Sequence, residues 1–291
     1  MTRNLRSVIQ SFKYDGGEET KTKAVGITRN ASTSAGKNRI NKANSKKKLD
    51  LEEKQYRDLA PSIKQDLSLL FIGYNPGLES SIQQHHYAHF TNLFYKLLNQ
   101  SEVLIKVLKS NQANLNQLLK EDELFQELVE DPLTFKTRVK PVHDFDLIKY
   151  DIGFTDLVLR CTRTAQELSM KEKLENVPRL LSEFKESKTK HLVFIGKGIW
   201  EIIVKYMCQV LNISKFKLTK ENFVWGLQNE KLCSDLQYRK IIAKMTELCE
   251  CDNRIYVFPN TSGLVTSLTY HEKLQLWNNL GNDILTGELK K

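Results

Sequence analysis

Residues 67–95 read LSLLFIGYNPGLESSIQQHHYAHFTNLFY. The apolar run at 67–72 stops abruptly at Gly73-Tyr74-Asn75-Pro76-Gly77. A short apolar run closed by Gly and Pro predicts a buried strand ending in a turn. In an α/β sheet, ligands sit beyond the carboxyl ends of the strands. Gly73 and Gly77 let the backbone come close to a ligand, and Pro76 stiffens the bend. Asn75 is thereby held at the strand tip, with a side chain that both donates and accepts hydrogen bonds.

Outward from this stretch, further apolar runs at 191–196 and 255–258 read as buried strands, with helical periodicity between them. Short strands alternating with helices predict a three-layer α/β/α sandwich around a central, mainly parallel sheet. Residues 87–100 are expected to be mostly helical, with Phe90, Leu93, Phe94, Leu97 and Leu98 as a core stripe. The charged, leucine-rich stretch 101–142 reads as two surface helices before Pro132, and a last helix is expected at 271–280. Gly196-Lys197 lacks the glycine five positions earlier and the following Ser or Thr of a P-loop, so that reading is discarded.

The chain has 291 residues and a net charge of +9. Residues 1–48 hold twelve Lys or Arg against three Asp or Glu, so the whole excess lies there and the remainder is balanced. Rich in Gly, Ser, Thr, Asn and Lys, residues 1–55 read as a disordered basic tail, and 56–291 as the folded domain. Lys37, Arg39, Lys42, Lys46, Lys47 and Lys48 form a block suited to sequence-independent phosphate binding and to nuclear import. The five cysteines make no regular framework, and no apolar run reaches membrane-spanning length. These features predict a nuclear protein with reduced thiols and no membrane partner.

The order Gly73-x-Asn75-Pro76-Gly77, a spacer, His85-His86-Tyr87, then Asn92-x-Phe94 resembles the mismatch-specific thymine/uracil DNA glycosylase family, within the uracil-DNA glycosylase superfamily. The resemblance resumes at Gly153, Thr155, Leu157, Val158, Arg160 and Thr162. It returns at residues 259–264, where Ser262-Gly263-Leu264 matches a second family motif. It covers most of 56–280 in pieces, broken by apparent insertions at about 101–142 and 229–254.

What the resemblance implies is a monofunctional DNA glycosylase that excises uracil, with thymine and other damaged pyrimidines in its range, opposite guanine in duplex DNA. Its partner is then double-stranded DNA with a G·U or G·T mismatch, and its abasic product passes to downstream repair proteins. A monomer is implied, with neither cofactor nor metal. Such an enzyme must extrude the nucleotide, grip the base, fill the hole and deliver water to C1′. Asn75 would orient the water, with Thr155 as a second catalytic contact. Tyr74, Gly77, Ser80 and Tyr87 would bind the base, Tyr87 by stacking. Ser262, Gly263 and Leu264 would meet the strand, Leu264 as the wedge. Relatives carry Arg two residues beyond the wedge; Thr266 stands here, which weakens the expected reading of the opposite guanine. Two rivals stand beside this reading: a DNA-binding protein on the same fold without catalysis, and a metal-dependent hydrolase using His85, His86 and His89, for which the sequence offers no nearby carboxylate or Cys.

Overall fold

The computed structural model describes residues 56–231, 233–250, 253–263 and 268–287. The basic block, Leu264 and Thr266 lie outside them.

The first strand, β1 (Leu69–Gly73), is buried along its whole length. The chain then runs through α1 (Leu78–Gln83), α2 (Phe94–Gln100), α3 (Val103–Ser110), α4 (Leu115–Glu121) and α5 (Glu123–Leu128). A small hairpin of β2 (Val129–Asp131) and β3 (Lys136–Thr137) precedes β4 (Ile152–Asp156). Next come α6 (Met170–Glu175), α7 (Val177–Ser187), β5 (His191–Ile195), α8 (Lys197–Val210), β6 (Gly226–Gln228), α9 (Leu236–Cys249), β7 (Arg254–Phe258) and α10 (Tyr270–Thr286).

The main sheet runs β4-β1-β5-β7-β6. Its first four strands are parallel, and only the edge strand β6 is antiparallel. Side chains alternate across such a sheet, and the two faces bury two separate cores. Leu70, Ile72, Leu192, Phe194, Ile255 and Val257 pack against α7, α8 and α9. Leu69, Phe71, Ile152, Phe154, Val193, Tyr256 and Phe258 pack against α2, α3 and α10. The expected three-layer α/β/α sandwich is the fold that forms.

From β1 the chain moves to one neighbour, β4, and then crosses to the other, β5. A crevice opens beyond the carboxyl end of β1 where the winding reverses, the usual seat of a ligand in open α/β sheets.

Two local expectations fail for physical reasons. The first helix of the 101–142 stretch is core, not surface: Val103, Leu104, Ile105, Val107 and Leu108 are all buried. With apolar residues at five of six consecutive positions, VLIKVL presents no polar face wide enough for solvent. The stretch 87–93 is a loop, and the helix begins only at Phe94. Phe90 is accordingly no part of the core stripe and is 90% exposed.

Candidate active site

A cleft of about 700 Å³ opens at the carboxyl ends of the parallel strands. Every parallel strand supplies it. Tyr74, Asn75, Pro76 and Gly77 follow β1, Asp156 ends β4, Ile195 and Gly196 end β5, and Asn260 and Ser262 follow β7. Ser80, His86, Tyr87, His89 and Asn92 enclose the remaining side.

The 73–77 turn is stapled to the segment after β4. Leu157 and Val158 N–H donate to the Gly73 and Tyr74 carbonyls, and Thr162 N–H to Pro76. The side-chain amide of Asn75 completes the staple, donating to the Arg160 carbonyl at 3.1 Å and to Thr162 Oγ1 at 2.7 Å. A carbonyl oxygen only accepts, so the amide orientation is fixed: Nδ2 faces the protein. Thr162 is held in turn by its hydroxyl donating to the Thr164 carbonyl at 2.9 Å. Asn75 Oδ1 meets no donor among the described residues and is left for the cleft. Arg160 and Thr162, which the sequence offered only as matched letters, thus hold Asn75 in place.

The facing wall is aromatic. Tyr87 sits at φ 54°, and its ring lies flat on Phe94, with centroids 4.0 Å apart and planes 4° from parallel. Phe94 stands edge-on to Phe71, which stacks on Trp277, so the wall is the tip of an aromatic core. Asn92 Oδ1 accepts the N–H of Phe94, the first residue of α2, at 3.0 Å. The Tyr87 N–H meets no acceptor among the described residues.

Behind this wall lies a buried carboxylate. Asp144 is fully buried and accepts from the His85 Nδ1 (2.8 Å), the His86 Nδ1 (2.7 Å) and the His86 N–H (2.6 Å). Burial works to raise the Asp144 carboxyl, but the hydrogen bonds from His86 and then His85 outweigh it and hold the group below its ordinary range. A carboxylate only accepts, so each ring must carry a proton on Nδ1. The carboxylate that the sequence did not reveal beside these histidines is therefore present, and it holds their Nδ1–H groups in place. His89 is elsewhere engaged, with Nδ1 2.9 Å from Thr91 Oγ1. No group of three or more His, Cys, Asp or Glu suited to a metal ion occurs among the described residues.

The other expected residues divide. Tyr74 and Ser80 line the cleft; Ser80 Oγ also accepts the Ala88 N–H at 3.4 Å. Gly77 is exposed at the cleft edge, with nothing among the described residues within 4 Å of where a Cβ would stand. Ser262 lines the cleft, and Gly263 beside it packs so closely on Thr91 that a Cβ would sit 2.9 Å from the threonine Oγ1. A bond from Leu93 N–H to the Thr261 carbonyl (2.9 Å) ties the two loops together. Thr155 does not reach the cleft. It is fully buried on the opposite face of β4, and its hydroxyl donates to Glu183 Oε2 at 2.8 Å. Strand alternation turns Asp156, not Thr155, toward the ligand side.

Asp156 is the residue that sequence reasoning missed. It is 5% exposed, and desolvation pushes its carboxyl from 3.8 up to about 6, against the opposing pull of His86 and Arg179 and with a further push from Glu183. The signal was available: Ile152 and Phe154 are apolar on alternate positions, so position 156 shares their face. Gly196, Lys197 and Asn260 also line the cleft unannounced.

Comparison with known proteins agrees with the geometry. The family model described as the uracil DNA glycosylase superfamily matches residues 60–281. The G/U mismatch-specific uracil DNA glycosylase of Schizosaccharomyces pombe is 23% identical over 281 residues, which is 96% of this chain and 68% of that protein. Given a cleft fed by every parallel strand, an amide clamped at the tip of β1 and a family match spanning most of the described residues, the chain belongs to the uracil DNA glycosylase superfamily and is a DNA glycosylase, a hydrolase of N-glycosyl bonds.

Proposed function

We propose that this enzyme removes uracil, with thymine and other damaged pyrimidines in its range, from mispairs with guanine in duplex DNA, and so begins base-excision repair. The observation that carries the reading is the clamp on Asn75. With Nδ2 spent on Arg160 and Thr162, the amide oxygen faces a cleft whose other wall is a flat aromatic surface. A flipped pyrimidine stacks on Tyr87, a common way to hold an extruded base. Asn75 Oδ1 then accepts a proton of a water aimed at C1′.

Asparagine has no usable basicity near neutral pH, so it orients the water without deprotonating it. The reaction is therefore dissociative. The C1′–N1 bond breaks with its electron pair leaving on the base, the sugar becomes oxocarbenium-like, and water captures it. The water's oxygen stays on C1′ and one of its protons goes, in net, to the base. The backbone N–H groups of Tyr74 and Tyr87 serve the base carbonyls.

Leu264 as the wedge, with Ser262 and Gly263 along the strand, extends the reading at the sequence level, as do Lys37, Arg39, Lys42, Lys46, Lys47 and Lys48 as non-specific phosphate contacts. A monomeric nuclear enzyme that hands an abasic site to downstream repair proteins completes the proposal. The named activity of the fission-yeast relative supports the G·U preference.

Single-turnover cleavage of labelled duplexes bearing G·U, G·T, A·U or G·C tests it. Alkali-labile breaks at G·U that persist in EDTA and vanish in Asn75→Ala are expected. Binding with no cleavage of any duplex would leave a DNA-binding protein on this fold.

A further inference from the structure

Two residues that line the cleft carry a polar group with no hydrogen-bond partner among the described residues. Asp156 is 5% exposed and lines the cleft, and its carboxyl meets no hydrogen-bond donor among the described residues. The Tyr87 hydroxyl is buried without a partner among the described residues. Both converge over Gly73: a Cβ there would lie 2.0 Å from Asp156 Oδ1 and 3.2 Å from Tyr87 Oη. Glycine at 73 is therefore what makes room for the carboxyl. A carboxyl left unpaired at the cleft surface costs free energy, and native structures keep one mainly where a ligand or function completes it.

We propose that Asp156 touches the extruded base and gates its departure by protonation: the neutral acid donates to a pyrimidine carbonyl and accepts from N3–H, whereas the carboxylate opposes loss of the base as an anion. This rests on the glycosylase reading above and adds to it a base-contacting group that sets both rate and base choice. The chemistry follows from the charge that develops. As C1′–N1 breaks, the electron pair passes to the base, and negative charge spreads onto its carbonyl oxygens. A fixed negative charge on a buried carboxyl beside the base raises that transition state, while a neutral O–H lowers it. The acid form also matches the edge of uracil or thymine, a donor flanked by acceptors. The carboxylate has only acceptors and matches instead the amino group of a cytosine-type base.

Charged and titratable neighbours on each packed element bear on this group. His86 and Tyr87 come from the loop before α2, and Arg179 and Glu183 from α7. The Arg179 guanidinium does not neutralise the carboxyl directly. It is bound to Glu183 and donates to the main-chain carbonyls of Asp156 at 2.6 Å and Leu157 at 2.9 Å. Burial dominates the balance and lifts the carboxyl to about 6, which places the change of form within the working range of pH.

The test is the single-turnover excision rate on G·U duplex from pH 5 to 8.5, for wild type, Asp156→Asn and Asn75→Ala. An asparagine at 156 is a permanent copy of the neutral acid, with one donor and one acceptor edge. Wild type should slow by at least about tenfold from pH 6 to pH 8, as expected when only the protonated form is productive. Asp156→Asn should be flat over that range and faster than wild type at pH 8. With 5-fluorouracil, whose anion leaves more readily, the wild-type fall should shrink. This arm needs no variant and stands even if Asp156→Asn folds poorly in a thermal melt. Wild-type and Asp156→Asn profiles that run parallel, a folded Asp156→Asn slower than wild type at every pH, or an equal fall for uracil and 5-fluorouracil would overturn the proposal. Failure of wild type to cut at any pH would instead defeat the glycosylase reading and take this inference with it.

Discussion

Two polar side chains stand at the tips of neighbouring strands, and the fold treats them in opposite ways. Asn75, beyond β1, is neutral and held by its donors on Arg160 and Thr162. Asp156, at the end of β4, is ionisable and its carboxyl is held by no hydrogen bond among the described residues. The first is a group whose orientation is fixed before any substrate arrives. The second is a group whose charge remains to be decided, by pH and by whatever enters the cleft. Preorganisation suits a residue that must aim a water; an unpaired acid suits a residue that must respond to a base.

The sharpest way to break the contrast is to remove the fixed group. Asn75→Ala should lower single-turnover excision by about 10²–10³-fold, the usual loss when one preorganised polar group is deleted from an active site. DNA binding should change far less, because the phosphate contacts are untouched. Stability should fall by only about 1 kcal/mol, for the lost hydrogen bonds to Arg160 and Thr162. Excision retained within tenfold, measured on G·U duplex, would show that the water is aimed by another group.

Removing the charge from the responsive group should appear in stability as well as rate. The Asp156 carboxyl is raised from 3.8 to about 6 in the folded chain. As pH rises, the unfolded chain therefore gives up this proton first, and the native state loses stability through that window. The loss is complete above about pH 6 and corresponds to about 3 kcal/mol at most. Asp156→Asn should thus be the more stable protein at pH 8 by about 2–3 kcal/mol, with the gap closing toward pH 4. Urea unfolding at both pH values measures it. A gap that does not change with pH would mean that the carboxyl titrates normally.

A smaller effect is expected where Asn75 is held. Thr162→Ala removes the 2.7 Å acceptor of Nδ2 but leaves the Arg160 carbonyl. The amide then has one anchor, and excision should drop about tenfold with little change in DNA affinity. Thr162→Ser keeps the hydroxyl and should restore the rate. A merely structural role for Thr162 would give equal losses in both variants, tracked by melting temperature.

These predictions also mark what the sequence disclosed. The apolar run before Gly73 and its turn placed Asn75 correctly, because a strand closed by Gly and Pro has few alternatives. The runs at 191–196 and 255–258 likewise gave two sheet strands. What escaped was parity and company. Thr155 and Asp156 are adjacent, and a one-residue choice of face decides which enters the cleft; the family match pointed to Thr155, and it is Asp156 that lines the cleft. Asp144 lies 59 and 58 residues from the two histidines it holds, and no periodicity spans such a distance. The stretch 87–93 reads as helix because Phe90 and Leu93 continue the helical spacing of Phe94, Leu97 and Leu98, whereas Tyr87 adopts a left-handed backbone at φ 54°.

The least disruptive probe separates the two halves of Tyr87. Its ring is expected to act, since it lies on Phe94 at 4.0 Å and forms the cleft wall. Its hydroxyl is buried with no partner among the described residues, and burial, then the Asp156 charge and then Tyr95, drive its ionisation well above the ordinary tyrosine range. The group therefore stays neutral and neither gives up its proton nor accepts a bond from the fold. Tyr87→Phe keeps the stacking surface and deletes an unpaired buried oxygen. Stability should hold or rise by up to about 1 kcal/mol, because no hydrogen bond is lost and a desolvation cost is relieved. Excision should stay within about twofold, because base stacking needs only the ring. Should Tyr87→Phe instead lose activity tenfold or more at unchanged stability, the hydroxyl would belong with Asp156 as a second group completed by the base, and the contrast between fixed and responsive residues would extend to the aromatic wall.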